Sequence, residues 1–198
     1  MKNRNLKKAC PAKLQRSGGF TLVESLVAVS IFSIAVVTLL ISLGRGLSDT
    51  GYVKKKITAE YLAAEGIEYM RNLRDTYILY SSSGGWSTFN SVLTSGSCFT
   101  ANGCYFNDQN VSYTDDSMPI VDLQLFACTT STCSNAPLLY NSATGKYGYT
   151  GSSSGFNRQV RVNTINVNEI RIRSTVYWTQ NSSNYSITFS ENLYNWVE

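Results

Sequence analysis

Glu24 is the only charged residue between Phe20 and Leu43, a run of 24 mostly apolar residues. A carboxylate inside such a run is costly to hold in lipid and generally marks a function. It either pairs with a cation or, at a helix end, reaches back to water. Gly18 and Gly19 stand immediately before the run. A second reactive group lies further on: Cys98, Cys104, Cys128 and Cys133, with a fifth cysteine, Cys10, near the start. A third is acidic, Asp115 with Asp116 and Asp122. Paired carboxylates do acid–base work or bind calcium, but a turn carrying solvated acids is the commoner meaning. There is no histidine, which removes His-based triads, His general bases and mixed Cys/His metal sites. The segment Gly145-Lys146-Tyr147-Gly148 lacks the spacing of a phosphate-binding loop. Nothing here predicts an enzyme, a cofactor or a metal centre.

The elements that must position these residues begin with charge. Residues 1–19 hold Lys2, Arg4, Lys7, Lys8, Lys13 and Arg16 and no acid; the remaining chain has 17 − 6 = 11 bases against 13 acids, a net −2. The basic character belongs to the first segment, and it holds that end in the cytoplasm by the positive-inside rule. Ser25–Leu43 is uncharged and close to the roughly 20 residues that span a bilayer. A secretory signal peptide needs a shorter apolar core and an A-x-A-like site, of which Ser42-x-Gly44 is a poor version. A plain membrane anchor leaves Glu24 without a reason.

Gly18-Gly19-Phe20-Thr21-Leu22-Val23-Glu24 resembles the cleavage and methylation signal of type IV pilins and type II secretion pseudopilins. The resemblance implies a short basic leader ending in Gly19, cut by prepilin peptidase before Phe20, with Phe20 then N-methylated and Glu24 as the fifth mature residue. It implies for Glu24 a role in assembly. The new α-amine lies four residues, about one helical turn, from Glu24. In a filament core a neighbour's amine and this carboxylate would offset each other's desolvation.

Beyond Gly44-Arg45-Gly46, where two glycines predict a kink or local melting, a second helical stretch follows. Ala59, Leu62, Ala63, Gly66, Tyr69, Met70, Leu73 and Tyr77 recur at three- and four-residue steps and predict a buried face. Glu60, Glu68, Arg71 and Asp75 lie opposite, with Glu68–Arg71 and Arg71–Asp75 spaced for ion pairs. Leu62–Asp75 also resembles the second half of the long helix in minor pilins. The match to the family is close over about the first 75 residues.

Residues 81–155 are rich in Ser, Gly, Asn and Thr and predict loops, notably at 81–85 and 151–155, with short strands in Ile120–Ala127 and Pro137–Tyr140. From Phe156 the pattern alternates. Val160 and Val162 interleave with Arg161 and Asn163. Ile170, Ile172, Val176 and Trp178 share one parity, Arg171, Arg173, Thr175, Tyr177 and Thr179 the other, and Tyr185, Ile187 and Phe189 alternate again. Three antiparallel strands with one face on the helix are expected, with a hairpin connection within Thr179–Asn184. This end of the chain is more loosely similar to minor pilins. Four cysteines in an exported head predict disulfides, with three possible connectivities. Cys98–Cys104 and Cys128–Cys133 are preferred because each closes a short loop. A four-cysteine zinc site is the rival, but its spacings are not the usual ones. Arg161, Arg171 and Arg173 near Tyr177 could make a basic and aromatic stripe, yet the net −2 argues against a nucleic-acid partner.

The expected fold is α+β: a long N-terminal helix, membrane-spanning in its first half, packed on a C-terminal antiparallel sheet. The expected organisation is a leader (1–19), an assembly helix (20–44), the helix's second half (45–80) and an exported head (81–198) with loops (81–155) and sheet (156–198). The resemblance implies a structural subunit, minor pilin or pseudopilin, of a type IV pilus or type II secretion filament. Its partners would be prepilin peptidase, other pilin or pseudopilin subunits and the inner membrane. The head would stand outside the cytoplasm, in a periplasmic or cell-surface filament after assembly. The other reading is a pilin-anchored binding module, an adhesin or DNA-uptake receptor.

Overall fold

The computed structural model of the chain describes residues 19, 21–80, 84–107 and 123–196. The chain divides into two compact units, Met1–Ser48 and Asp49–Glu198. One helix, α1 (Leu22–Tyr80), belongs to both.

Within the first unit, every described residue from Thr21 on is solvent-exposed. The helix starts at a cap: the Thr21 hydroxyl accepts the Glu24 backbone N–H at 3.3 Å, and the Thr21 carbonyl accepts the Ser25 N–H at 3.1 Å. Thr21 and Glu24 have the spacing of a capping box, in which a Thr satisfies an otherwise unpaired N–H of the first turn. The break expected at Gly44-Arg45-Gly46 is absent; α1 runs through it. Two glycines cost about 1 kcal/mol each in a helix, too little to end one that has well over a turn of good helix formers on both sides.

In the second unit, the predicted face of α1 is buried at all eight positions, Ala59 to Tyr77. It covers an antiparallel sheet in which, among the described residues, seven strands occur: β1 (Cys104–Phe106), β2 (Leu125–Ala127), β3 (Pro137–Asn141), β4 (Lys146–Gly148), β5 (Ser152–Asn166), β6 (Glu169–Gln180) and β7 (Ser183–Tyr194). The fold is therefore α+β, with the long helix packed on a C-terminal antiparallel sheet. β5 is the hub: it pairs with β3 and β1 on one side and with β6 on the other, and β6 carries β7.

Period-two alternation placed the apolar residues of β5 and β6 inward correctly, whereas on β7 Tyr185 and Ile187 are half-buried and Phe189 is exposed. Val160, Val162, Ile170, Ile172, Val176, Trp178 and Leu193 are all buried. The hairpin connection is shorter than expected, because β6 and β7 extend until only Asn181 and Ser182 remain, both at positive φ (48° and 63°). Two such residues form the turn whose twist matches the flanking strands. The loop expected at 151–155 is instead the start of β5. Its register against β3 shifts there, and Gly155 takes φ 78°. The Ser154 hydroxyl donates to the Leu138 carbonyl and accepts the Phe156 N–H, so a bulge absorbs the Ser/Gly run into the sheet.

Sequence reading also missed a helix, α2 (Gly85–Ser95), inside the segment expected to be loops and short strands. Trp86, Phe89 and Leu93 are buried at three- and four-residue steps and join the core with Leu73, Tyr77 and Ile78 of α1. The glycines before it and the Ser/Thr positions between its apolar residues hid that period.

Helix and sheet approach closely at Gly66. A methyl group there would stand 2.9 Å from Ser174 Cβ on β6, and Ser174 is fully buried. Gly66→Ala is therefore expected to destabilise the head by about 1–3 kcal/mol through overpacking. A second change, Ser174→Gly, should recover most of the loss in denaturant titrations. Equal loss in the single and double variants would show that contact with Ser174 is not the cause.

Candidate functional site

The N-terminal segment is the first candidate. The structure places Gly19 and Glu24 but not Gly18 or Phe20, which lie outside the described residues. Glu24 sits in the first turn of α1, where its negative charge faces the partial positive charge of unpaired N–H groups. Behind it runs an apolar helix with nothing covering it: Leu26, Ile31, Phe32, Ile34, Leu39, Leu40 and Leu43 are each more than half exposed. An 18-residue window of this helix has mean hydropathy 2.7, which makes it long and apolar enough to cross a membrane. A helix apolar all round is stable only inside lipid or among other proteins. Ser30, Ser33 and Thr38 return their hydroxyls to backbone carbonyls three or four residues earlier, at 2.8–2.9 Å. Their polarity is thereby matched inside the helix itself. Sequence reasoning overlooked Thr21, although the Thr-x-x-Glu spacing was there to find it.

The head holds the remaining candidates. Cys98 and Cys104 are joined as a disulfide, and so are Cys128 and Cys133, with Cα–Cα distances of 4.6 and 4.8 Å. Each closes a loop of a few residues, which stabilises by about 2 kcal/mol in the loop-entropy account. The first lies in the main core, and Cys98 O accepts the Val162 N–H at 2.9 Å, so it ties the end of α2 to β5.

Arg161, Arg171 and Arg173 do share the outer face of the sheet, Arg161 directly opposite Arg173. Arg171 Nε donates to Asn192 Oδ1 at 3.0 Å, and Asn192 in turn donates to Glu169 at 2.7 Å. Burial pushes the Tyr177 phenol above its usual pKa, with the charge of Arg161 and the Thr175 hydroxyl pulling the other way. Asp115, Asp116 and Asp122 lie outside the described residues. Lys146–Gly148 is a strand, β4, and Gly145 turns into it at φ 70°.

Of the two expected ion pairs on α1, Glu68–Arg71 forms at 2.6 Å, while Arg71–Asp75 does not. Arg71 reaches instead to Glu191 on β7, also at 2.6 Å, and Asp75 pairs with Arg74. Glu191 takes Arg71 Nε and Nη2 together, a two-nitrogen geometry characteristic of strong arginine–carboxylate pairs. The bond to Glu191 raises the Arg71 pKa further.

The deepest ion pair was not foreseen. Arg158 occupies an inward position of β5, is 1% exposed, and pairs with Glu65 of α1. Its guanidinium also lies 3.9 Å from the centre of the Phe106 ring and donates to the Leu62 carbonyl at 3.4 Å. These contacts are structural and carry no reactive geometry.

Residues 14–40 match a family model described as the prokaryotic N-terminal methylation motif. Neither a curated protein nor a solved structure matches the chain. The matched segment holds the whole of Gly18–Glu24 and most of the apolar run that follows it.

Proposed function

Taking the chain for what its N-terminal segment makes it, a type IV pilin-like protein, we propose that it is a structural subunit of a membrane-based filament, a minor pilin or pseudopilin. Prepilin peptidase cuts it between Gly19 and Phe20, and Phe20 is methylated. Before assembly the helix is held in the inner membrane with the head outside the cytoplasm. On assembly the helix moves among the helices of other pilin subunits, where Glu24 meets the α-amine of a neighbour. The observation that carries this reading is the coincidence of the methylation motif with an apolar helix that nothing covers, at residues 14–40 and from Thr21 onward. Such a helix needs an environment, and both lipid and a bundle of like helices supply one.

The test is the intact mass and N-terminal residue of the protein from cells with and without prepilin peptidase. The expected product is a chain beginning at methylated Phe20, formed only when the peptidase is present. A chain left uncut, or cut beyond Leu43, would overturn the proposal.

A further inference from the structure

The arginines from Arg71 onward divide into two sets. Arg71, Arg74 and Arg158 each pair with a carboxylate of α1. Arg161, Arg171 and Arg173 form no ion pair among the described residues, and these three lie together on the outer face of the sheet. The strand registers set them in two rows. Arg161 of β5, Arg173 of β6 and Ser190 of β7 stand opposite one another, and Asn163, Arg171 and Asn192 form the next row. From the spacing of strands and of alternate residues, the three arginine backbones lie within roughly 8 Å of one another. Glu169, on the same face of β6, already accepts from Asn166 and Asn192 at 2.9 and 2.7 Å.

Like charges directly opposite on neighbouring strands destabilise a sheet, so an anion set between Arg161 and Arg173 would offset a cost that the fold carries. Two of the three arginines are already oriented. The Arg161 stem runs past Gly103, where an added Cβ would stand 2.7 Å from its Cγ, and Arg171 Nε is fixed on Asn192 at 3.0 Å. Orientation before binding lowers the ordering cost of a ligand. Arg171 and Arg173 are exposed and Arg161 is half-buried, so a ligand in solution reaches them. The chain from Phe20 on carries a net −2, which makes this positive patch a local feature and not a reflection of overall charge.

We propose that this face binds an acidic polysaccharide, one whose repeating unit carries a carboxylate or a phosphate group. Guanidinium forks recognise both oxyanions through paired N–H donors. Around the arginines stand Asn163, Thr175, Thr188, Ser190 and Asn192, whose hydroxyls and amides can both give to and take from sugar hydroxyls. These rows carry no apolar side chain, whereas the centre of a protein–protein interface is rich in aromatic residues and poor in charge. Nor do they offer the aromatic planes on which a nucleic-acid strand stacks. Tyr177, further along β6, is half-buried, and its hydroxyl donates to Gln159 Oε1 at 3.1 Å. The site uses neither Glu24 nor the apolar helix, so it adds a recognition step to a filament subunit.

The test uses the full-length protein in an uncharged detergent. Fluorescently labelled polyuronate and phosphomannan oligosaccharides are titrated separately and read by anisotropy, and the one that binds more tightly identifies the anion. A neutral glucan oligosaccharide and a single-stranded oligodeoxynucleotide, with the same label, are the comparisons. Saturable binding of at least one acidic oligosaccharide is expected, tighter than either comparison and weakened by added salt. Arg161→Gln and Arg173→Gln should each weaken it about tenfold or more, the worth of one hydrogen bond to a charged group, with the near-UV circular dichroism of the head unchanged. Lys146→Gln, which removes an exposed cation beside α1, should leave binding as it is. Absence of saturable binding by both acidic oligosaccharides overturns the proposal. So does binding that survives both arginine substitutions, or that falls equally with Lys146→Gln. Tighter binding of the oligodeoxynucleotide through the same arginines also overturns it and gives the face to nucleic acid. N-terminal cleavage is measured separately, so failure here does not touch the filament reading.

Discussion

Glu24→Gln protein is expected to insert and be cleaved like wild type, yet to be missing from filaments. The substitution keeps the side chain's size and removes its charge. In lipid that change is nearly neutral, since Glu24 stands in the first turn of α1, where a long charged side chain can reach the interface. In a filament core it is costly, because the neighbour's Phe20 amine loses its only proposed counter-charge. Breaking a buried pair by removing one partner costs about 3–5 kcal/mol, a factor of about 10² to 5 × 10³ in incorporation. Insertion is therefore unchanged while assembly fails. Quantitative immunoblots of membrane and sheared-filament fractions, with the mature N-terminus checked by mass, separate the two. Wild-type amounts of Glu24→Gln in filaments would remove the proposed pairing.

Glu65→Ala is expected to destabilise the head by about 3–5 kcal/mol, and Arg158→Met by less than about 1.5 kcal/mol. The difference follows from where the two charges sit. Arg158 is 1% exposed, whereas the Glu65 side chain is 37% exposed. Deleting the carboxylate strands a guanidinium in the core, where only the Leu62 carbonyl and the Phe106 ring remain to it. Deleting the guanidinium leaves a carboxylate that turns to water, and methionine refills much of the vacated space. The double variant should be close to Arg158→Met alone. Urea titrations followed by tryptophan fluorescence decide it. A larger loss for Arg158→Met than for Glu65→Ala would mean that the arginine's packing, and not its charge, matters most.

The same pair marks what the sequence shows and hides. The face of α1 was legible because apolar residues at three- and four-residue steps have one explanation, a buried stripe. β6 was legible because Ile170, Ile172, Val176 and Trp178 alternate with polar residues. Arg158 shares its parity with Phe156, Val160 and Val162, but an arginine at such a position reads as a break in the pattern. Only the partner from α1, 93 residues earlier, makes its burial affordable. α2 and the bulge at Gly155 failed for a related reason. Serine, threonine and glycine suit loops locally, and tertiary contact with Leu73, Tyr77 and Leu138 decides otherwise. In the N-terminal segment the methylation motif and the apolar helix could be read directly, since both are features of local sequence. The role of Thr21 is harder to read, because it concerns the Glu24 backbone N–H and not the side-chain charge.

The central place of β5 has a consequence for biogenesis. Met70 of α1 finishes its packing against residues as late as Leu193, 123 positions along the chain. At synthesis rates of roughly 5–20 residues per second, the inner face of α1 waits about 6–25 s for the last strand. The two disulfides, which span 6 and 5 positions, need no such wait and can close while the sheet is still incomplete. Both crosslinks can therefore precede β7. A nascent chain stalled before residue 183 would present oxidised cysteines on an unfinished sheet.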